Sequence, residues 1–264
     1  MVPNIEHIRR VSGQVRQLLV DMDFTACSDG RRAVFFDVDG TLCRDDSLEM
    51  LINATRQKGL LKEGSRQLKT YDLARDAWKN RDMAFDDYIK LAIAEIRNLR
   101  GIPRRTLEET VDEIMLESGR YYLFTWLLLL RLKTMGYKLI AISGAPDFML
   151  PKFLKKAGVF VDEIHGTKYF FEDDKFTGEI DFSVIADKGE FIRSTYGEKF
   201  DLEKCLVLGD TVNDSKMFEM VGRGVAINPT YEFAEIAQEK KWPIAVERKN
   251  LVLVFPDGNF KSVL

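Results

Sequence analysis

Histidine is nearly absent. The 264 residues contain only His7 and His165, and neither lies in a polar cluster. That argues against histidine-based acid–base catalysis and against zinc held by imidazoles. Cysteine is scarce as well. Cys27, Cys43 and Cys205 stand far apart, with no metal-ligand spacing and no disulfide framework, which fits a reducing compartment. There is no excess of positive charge to attract nucleic acid, since the formal net charge is −3. Long hydrophobic runs are missing too. The most apolar stretch, YYLFTWLLLL (121–130), is too short for a bilayer and is followed at once by Arg131. No secretory signal pattern opens the sequence. The expectation is a soluble, cytoplasmic protein that spans no membrane and binds no nucleic acid.

What is present is enough apolar material for a core, 45% of all residues. The length fits one large domain or a core with an insertion. Ile5, Ile8, Val11, Val15, Leu18 and Met22 recur at helical steps and predict a first helix over 4–22. Its apolar stripe suits packing on the chain's own core or on a second copy in a homodimer; a membrane-surface helix is the alternative. AVFF (33–36), KLIAI (138–142), CLVLG (205–209) and GVAIN (224–228) read as fully buried strands separated by helical patterns. Such alternation predicts an α/β fold, a three-layer α/β/α sandwich around a Rossmann-like parallel sheet. PIAV and LVLVF near the C-terminus extend the sheet, and KYFFEDDKFTGEI (168–180) reads as a hairpin turning at Asp173-Asp174.

From Asp46 to Glu117 the pattern is helical only, with helices near 47–57, 68–78 and 84–99 and a last one capped at Thr106 by TLEE. That is too long for a strand-to-helix loop. The expected organisation is an N-terminal helical extension (1–30), a catalytic core (31–45 plus 118–264) and an inserted helical cap (46–117). A further helix over 119–135 is expected to end at Gly136.

The unusual polar residues fall at strand ends, where ligands bind in an open parallel sheet. The first strand ends in DVDGT, with Asp37 and Asp39; the second in SGAPD, with Ser143 and Gly144; the third in GDTVNDS, with Asp210, Asn213 and Asp214. Taken singly, each has a plain reading as a turn or a helix start. Together they bring four carboxylates to one rim, where like charges are costly without a cation. Mg2+ suits such a site, because it prefers oxygen ligands and leaves positions for water and a phosphate oxygen. Lys188, in ADKGEF, is alone a solvated lysine, but a phosphate site gives it a use.

FFDVDGTL, Ser143 in AISGAP, Lys188 in DKGEF and LVLGDTVNDS resemble, in order, the four motifs of the haloacid dehalogenase superfamily, over about residues 31–246. The helical insert after the first motif resembles that superfamily's first cap type, and the closest branch is the one containing phosphoserine phosphatase. The resemblance implies a Mg2+-dependent phosphatase for a small phosphorylated metabolite. Asp37 would be the nucleophile and Asp39 the general acid and base. Asp37, Asp210 and the Asp39 carbonyl would hold the metal, with Asp214 bonding its waters. Ser143, the Gly144 amide at a helix start, Lys188 and Asn213 would hold the phosphoryl group, and Thr41 would brace the loop at this phosphate site. Asp46, with Asp45 beside it, stands where that branch has a Glu that binds the substrate amine. The Arg that holds the substrate carboxylate there has the candidates Arg56, Arg66, Arg75 and Arg81. Residues 56–81 carry eight basic side chains against three acidic ones, which suits either an anionic substrate or a solvated helix face. Trp78, Phe85 and Tyr88 suit either an aromatic pocket or helix packing. Two rivals remain: phosphotransfer or a mutase through the same aspartyl-phosphate, and a non-catalytic phospho-ligand sensor.

Overall fold

The computed structural model describes residues 4–61, 66–80, 82–83, 85–117 and 120–260. The apolar runs become strands β1 (Ala33–Phe36), β2 (Lys138–Pro146), β3 (Glu163–Glu172), β4 (Lys175–Asp181), β5 (Leu206–Gly209), β6 (Arg223–Ile227), β7 (Ile244–Arg248) and β8 (Leu251–Phe255). They form one sheet in the order β4-β3-β2-β1-β5-β6-β7-β8. The six inner strands run parallel, and β4 and β8 close the two edges antiparallel. β1 lies between β2 and β5, so the first and third polar strand ends become neighbours.

β1 is buried at every position because its two faces meet two separate cores. Val34 and Phe36 belong to one apolar cluster, Ala33 and Phe35 to the other. The first cluster is roofed by α1 (Ile5–Asp21), α6 (Leu123–Thr134) and α7 (Leu150–Ala157). The second is covered by α9 (Lys188–Tyr196), α10 (Ser215–Met220) and α11 (Tyr231–Glu239), with the short α8 (Ser183–Ala186) at its margin. Helix α1 buries Val11, Val15, Leu18 and Leu19 on this chain's own α6 and β8. Ile5, expected on that stripe, is 66% exposed. No helix among the described residues is long and apolar enough to cross a membrane.

Between β1 and β2 lie α2 (Ser47–Gln57), α3 (Arg66–Lys79), α4 (Phe85–Arg97) and α5 (Arg104–Glu117). Their boundaries correct two expectations. α5 begins at Arg104, so Thr106 sits inside the first turn and not at the cap position; its carbonyl accepts from the Thr110 hydroxyl. α6 begins at Leu123 rather than at 119. Gly136 follows its end at φ +89°, a left-handed conformation that glycine adopts without penalty.

The β3–β4 hairpin turns at Asp173-Asp174, both at positive φ, as a two-residue hairpin turn requires. It also holds the α4–α5 connection. Gly101 N–H donates to Phe176 O at 2.7 Å, Phe176 N–H to Ile102 O at 2.9 Å, and Arg104 N–H to Asp174 O at 2.7 Å.

Candidate active site

The rim forms where β1 and β5 end side by side. Asp37 follows β1 directly, and its amide donates to the Leu208 carbonyl of β5 at 3.0 Å. Asp210 follows β5, and the carboxylates of Asp37, Asp210 and Asp214 offer oxygens within 4.8 Å of one another. Gly40 makes this approach possible. It lies at φ +74°, and a Cβ there would come within 2.0 Å of Asp210 Oδ2. Any other residue would collide with the carboxylate as well as strain the turn.

Lys188 is the cation at the centre. As the first residue of α9 it would ordinarily be solvated, yet it is only 5% exposed. Its Nζ lies 2.7 Å from Asp214 Oδ1 and 3.2 Å from Asp37 Oδ1. Burial alone would lower its pKa, but Asp214 and Asp37 outweigh that and raise it, so the ammonium stays charged. One lysine does not neutralise three acids. Burial pushes Asp37 up to about 6, against the pull of Lys188, and Asp214 pushes in the same direction as burial. Asp210 is raised well above the carboxylate range, first by burial and then by Asp214 and Asp37. A buried all-oxygen donor set with unbalanced negative charge fits a hard divalent cation.

Asp39 points the other way. Its Oδ2 accepts from the Ser47 amide at 3.1 Å and the Ser47 hydroxyl at 2.5 Å. Its Oδ1 is buried with no hydrogen-bond partner among the described residues. Burial, and after it the charge of Asp46, raises the pKa of Asp39 above the ordinary carboxylate value. Ser47 is a site residue that sequence reasoning missed.

The other candidates divide. Thr41 is buried and donates its hydroxyl to Asp210 Oδ1 at 3.0 Å, a brace for that acid. Asp214 is also buried, and accepts from the amides of Asp210 at 3.0 Å and Thr211 at 3.2 Å. Asn213 is exposed in the turn between Asp210 and Asp214. Ser143 is buried, and its Oγ accepts from the Ala145 amide at 3.2 Å. Gly144 departs from expectation. β2 continues to Pro146 and α7 starts at Leu150, so the Gly144 amide lies in extended chain and not at a helix start.

Beside the rim is a cleft of about 490 Å³, walled by Arg44, Asp45, Asp46, Glu49, Lys79 and Arg120 together with Trp78. Asp46 caps α2, accepting from the Glu49 amide at 2.7 Å, and burial raises its pKa. Glu49 was overlooked in the sequence, although Asp-x-x-Glu before an apolar run is a capping signal that places it one turn from Asp46. Trp78 stacks on Tyr88 with ring centres 4.7 Å apart; Tyr88 is fully buried, so only the tryptophan lines the cleft. Arg81 and the Phe85 side chain lie outside the described residues.

Known proteins resemble this chain in sequence and in fold. A phosphoserine phosphatase of Archaeoglobus fulgidus is 24% identical over 251 residues, covering 94% of this chain; the chain spans 65% of that relative's length. A histidinol-phosphatase of Neisseria meningitidis serogroup C is 24% identical over 230 residues, with 81% of this chain and 98% of its own covered. An apo phosphoserine phosphatase structure shares the fold with a TM-score of 0.57 at 20% identity, covering 83% of this chain and 94% of that one. A phospho-aspartyl intermediate analogue of phosphoserine phosphatase gives 0.56 at 19% identity, with the same coverage of 83% and 94%. The model of haloacid dehalogenase-like hydrolases matches residues 34–219. All four acids of the rim fall within those bounds, and the chain belongs to the haloacid dehalogenase-like hydrolase family.

Proposed function

We propose that the protein is a Mg2+-dependent phosphomonoesterase that acts on a small metabolite through an aspartyl-phosphate. The observation that carries this reading is the contrast between two acids two residues apart. Asp37 faces Lys188 among unbalanced acids, and Asp39 is turned onto Ser47 in surroundings that favour its protonated form.

The Asp37 carboxylate attacks phosphorus in line, and the bond from phosphorus to the ester oxygen breaks. Asp39 passes its proton to that leaving oxygen, and the alcohol departs. Asp39, now ionised, takes a proton from the water that attacks the aspartyl-phosphate. Phosphate leaves, Asp37 is regenerated, and Asp39 is protonated again. Lys188 binds phosphoryl oxygens, and Ser143, the Gly144 amide and Asn213 complete their cradle. Thr41 holds Asp210 in place, and Asp214 holds Lys188. Mg2+, held by Asp37, Asp210 and the Asp39 carbonyl with Asp214 nearby, would offset the negative charge of rim and substrate. The inserted helices α2–α5 act as a cap over the rim and exclude bulk water. Relatives named for phosphoserine and histidinol phosphate support a substrate with an amine beside its ester, and Asp46 is the acid placed to meet it.

The test is hydrolysis of p-nitrophenyl phosphate and a panel of phosphorylated metabolites, with and without Mg2+. Release of inorganic phosphate that stops when the metal is chelated is the expected result. Asp39→Asn should slow release on the order of 10² to 10⁴-fold for esters with poor leaving groups. Hydrolysis that ignores both chelation and this substitution contradicts the reading.

A further inference from the structure

One buried acid has no part in the rim. Glu247 lies on β7, three strands from β1 in the sheet, and is only 6% exposed. Both of its carboxylate oxygens are occupied. Oε1 pairs with Arg44 Nη2, and Oε2 accepts from the Phe124 amide at 2.8 Å. Phe124 stands in the first turn of α6, where amides lack partners within the helix and no side chain of the preceding residue caps them. The Glu247 backbone is seated too, since its amide donates to Asn228 Oδ1 at 2.7 Å.

Arg44 and the start of α6 belong to the two linkers that join the inserted helices to the sheet. Residues 42–46 lead out to α2, and 120–122 lead back into α6. The linkers run side by side: Arg44 N–H donates to Arg120 O at 2.8 Å, and Tyr122 N–H to Leu42 O at 2.9 Å. The Arg44 guanidinium also lies 4.6 Å over the Tyr122 ring. One carboxylate of the sheet therefore grips both linkers. The outgoing linker has a second duty. It connects the turn of Asp39 to Ser47, whose amide and hydroxyl hold the Asp39 carboxylate. Arg44 stands between these two in sequence, so a shift of the linker there carries Ser47 away from Asp39.

We propose that Glu247 is a positioning residue: it pins both linkers to β7 and thereby fixes the Ser47–Asp39 contact that aims Asp39 at the leaving oxygen. The inference rests on the phosphomonoesterase reading and adds a residue from outside the rim to it. Capping α6 needs one oxygen of Glu247. The other, held by Arg44, is the one that reaches the linker of Asp39.

Glu247→Gln tests this, because its single amide oxygen cannot accept from both Arg44 and Phe124. That oxygen can still cap α6, so the chain should stay folded. Hydrogen–deuterium exchange of the full chain should quicken about tenfold in peptides covering 39–47 and 120–124, while β1 and β5 stay as slow as in the parent. With Mg2+, kcat/KM for phenyl phosphate should fall about fivefold relative to p-nitrophenyl phosphate, whose better leaving group needs less protonation. In an Asp39→Asn background the same substitution should leave that ratio unmoved. Arg44→Gln, which leaves the α6 cap in place, should move both readouts in the same direction. Unchanged exchange in the two segments, or exchange quickened throughout the sheet in both variants, overturns the pin. Local quickening with an unmoved ratio, or a ratio that falls equally without Asp39, overturns the positioning of Asp39. A parent that hydrolyses neither ester counts against the phosphomonoesterase reading instead, and exchange alone then decides the pin.

Discussion

Asp37→Asn is expected to lower turnover on the order of 10⁴-fold or more while leaving the chain folded. The amide keeps the size of the carboxylate and fits the same space above β1. It has no anionic oxygen to form the bond to phosphorus, so the covalent path closes. The fold should not suffer, because the substitution removes one of the repelling charges that Lys188 alone fails to balance. Without metal the variant should therefore melt no lower than the parent. Two measurements check this: steady-state hydrolysis, and mass spectrometry of acid-quenched enzyme, which should show a phosphorylated species only when Asp37 is intact. Near-normal hydrolysis by the variant would end the covalent reading.

Lys188→Met should damage activity and stability together. In the metal-free chain the Lys188 ammonium is buried between Asp37 and Asp214, and Asp214 is fully buried. Removing one partner of a buried ion pair costs about 3 kcal/mol or more, because the acids left behind remain dry and unbalanced. Urea unfolding in chelator should report that loss. Mg2+ should then stabilise the variant by a larger increment than the parent, since the rim has more negative charge left to offset. Activity with Mg2+ should still fall on the order of 10² to 10³-fold, because a phosphoryl-binding cation is gone. Equal stability of the two proteins in chelator would show that Lys188 does not hold the rim together.

The order of elements and the rim were legible because both are written in local patterns. AVFF followed by Asp-Val-Asp-Gly announces a strand that ends in charge, and the same holds for CLVL followed by Gly-Asp. Buried parallel strands need continuous apolar runs, so their positions show plainly in one dimension. The pairing of β1 with β5, which makes neighbours of Asp37 and Asp210, is not written in either segment, since strand order is a matter of long-range contact. The orientation of Asp39 was not legible at all. It depends on a hydroxyl eight residues away at the start of α2, and Ser47 looked like an ordinary residue of a helix terminus. The basic stretch of 56–81 left two readings open for a similar reason. Counting charges along the chain hides the acids that fold onto Arg56, Arg75 and Lys79 from other turns of the helices. Extended chain through Pro146 likewise escaped notice, because Ser-Gly-Ala-Pro has the composition of a turn.

The three backbone hydrogen bonds between residues 101–104 and the β3–β4 hairpin have a mechanical meaning. If the inserted helices serve as a lid, these bonds, together with Lys152 of α7 reaching Asp112 of α5, would tie its α4–α5 side to the core, and opening would have to occur elsewhere along its edge. Traffic of substrate and product would then be governed in part by a ribbon whose own side chains never meet the phosphate.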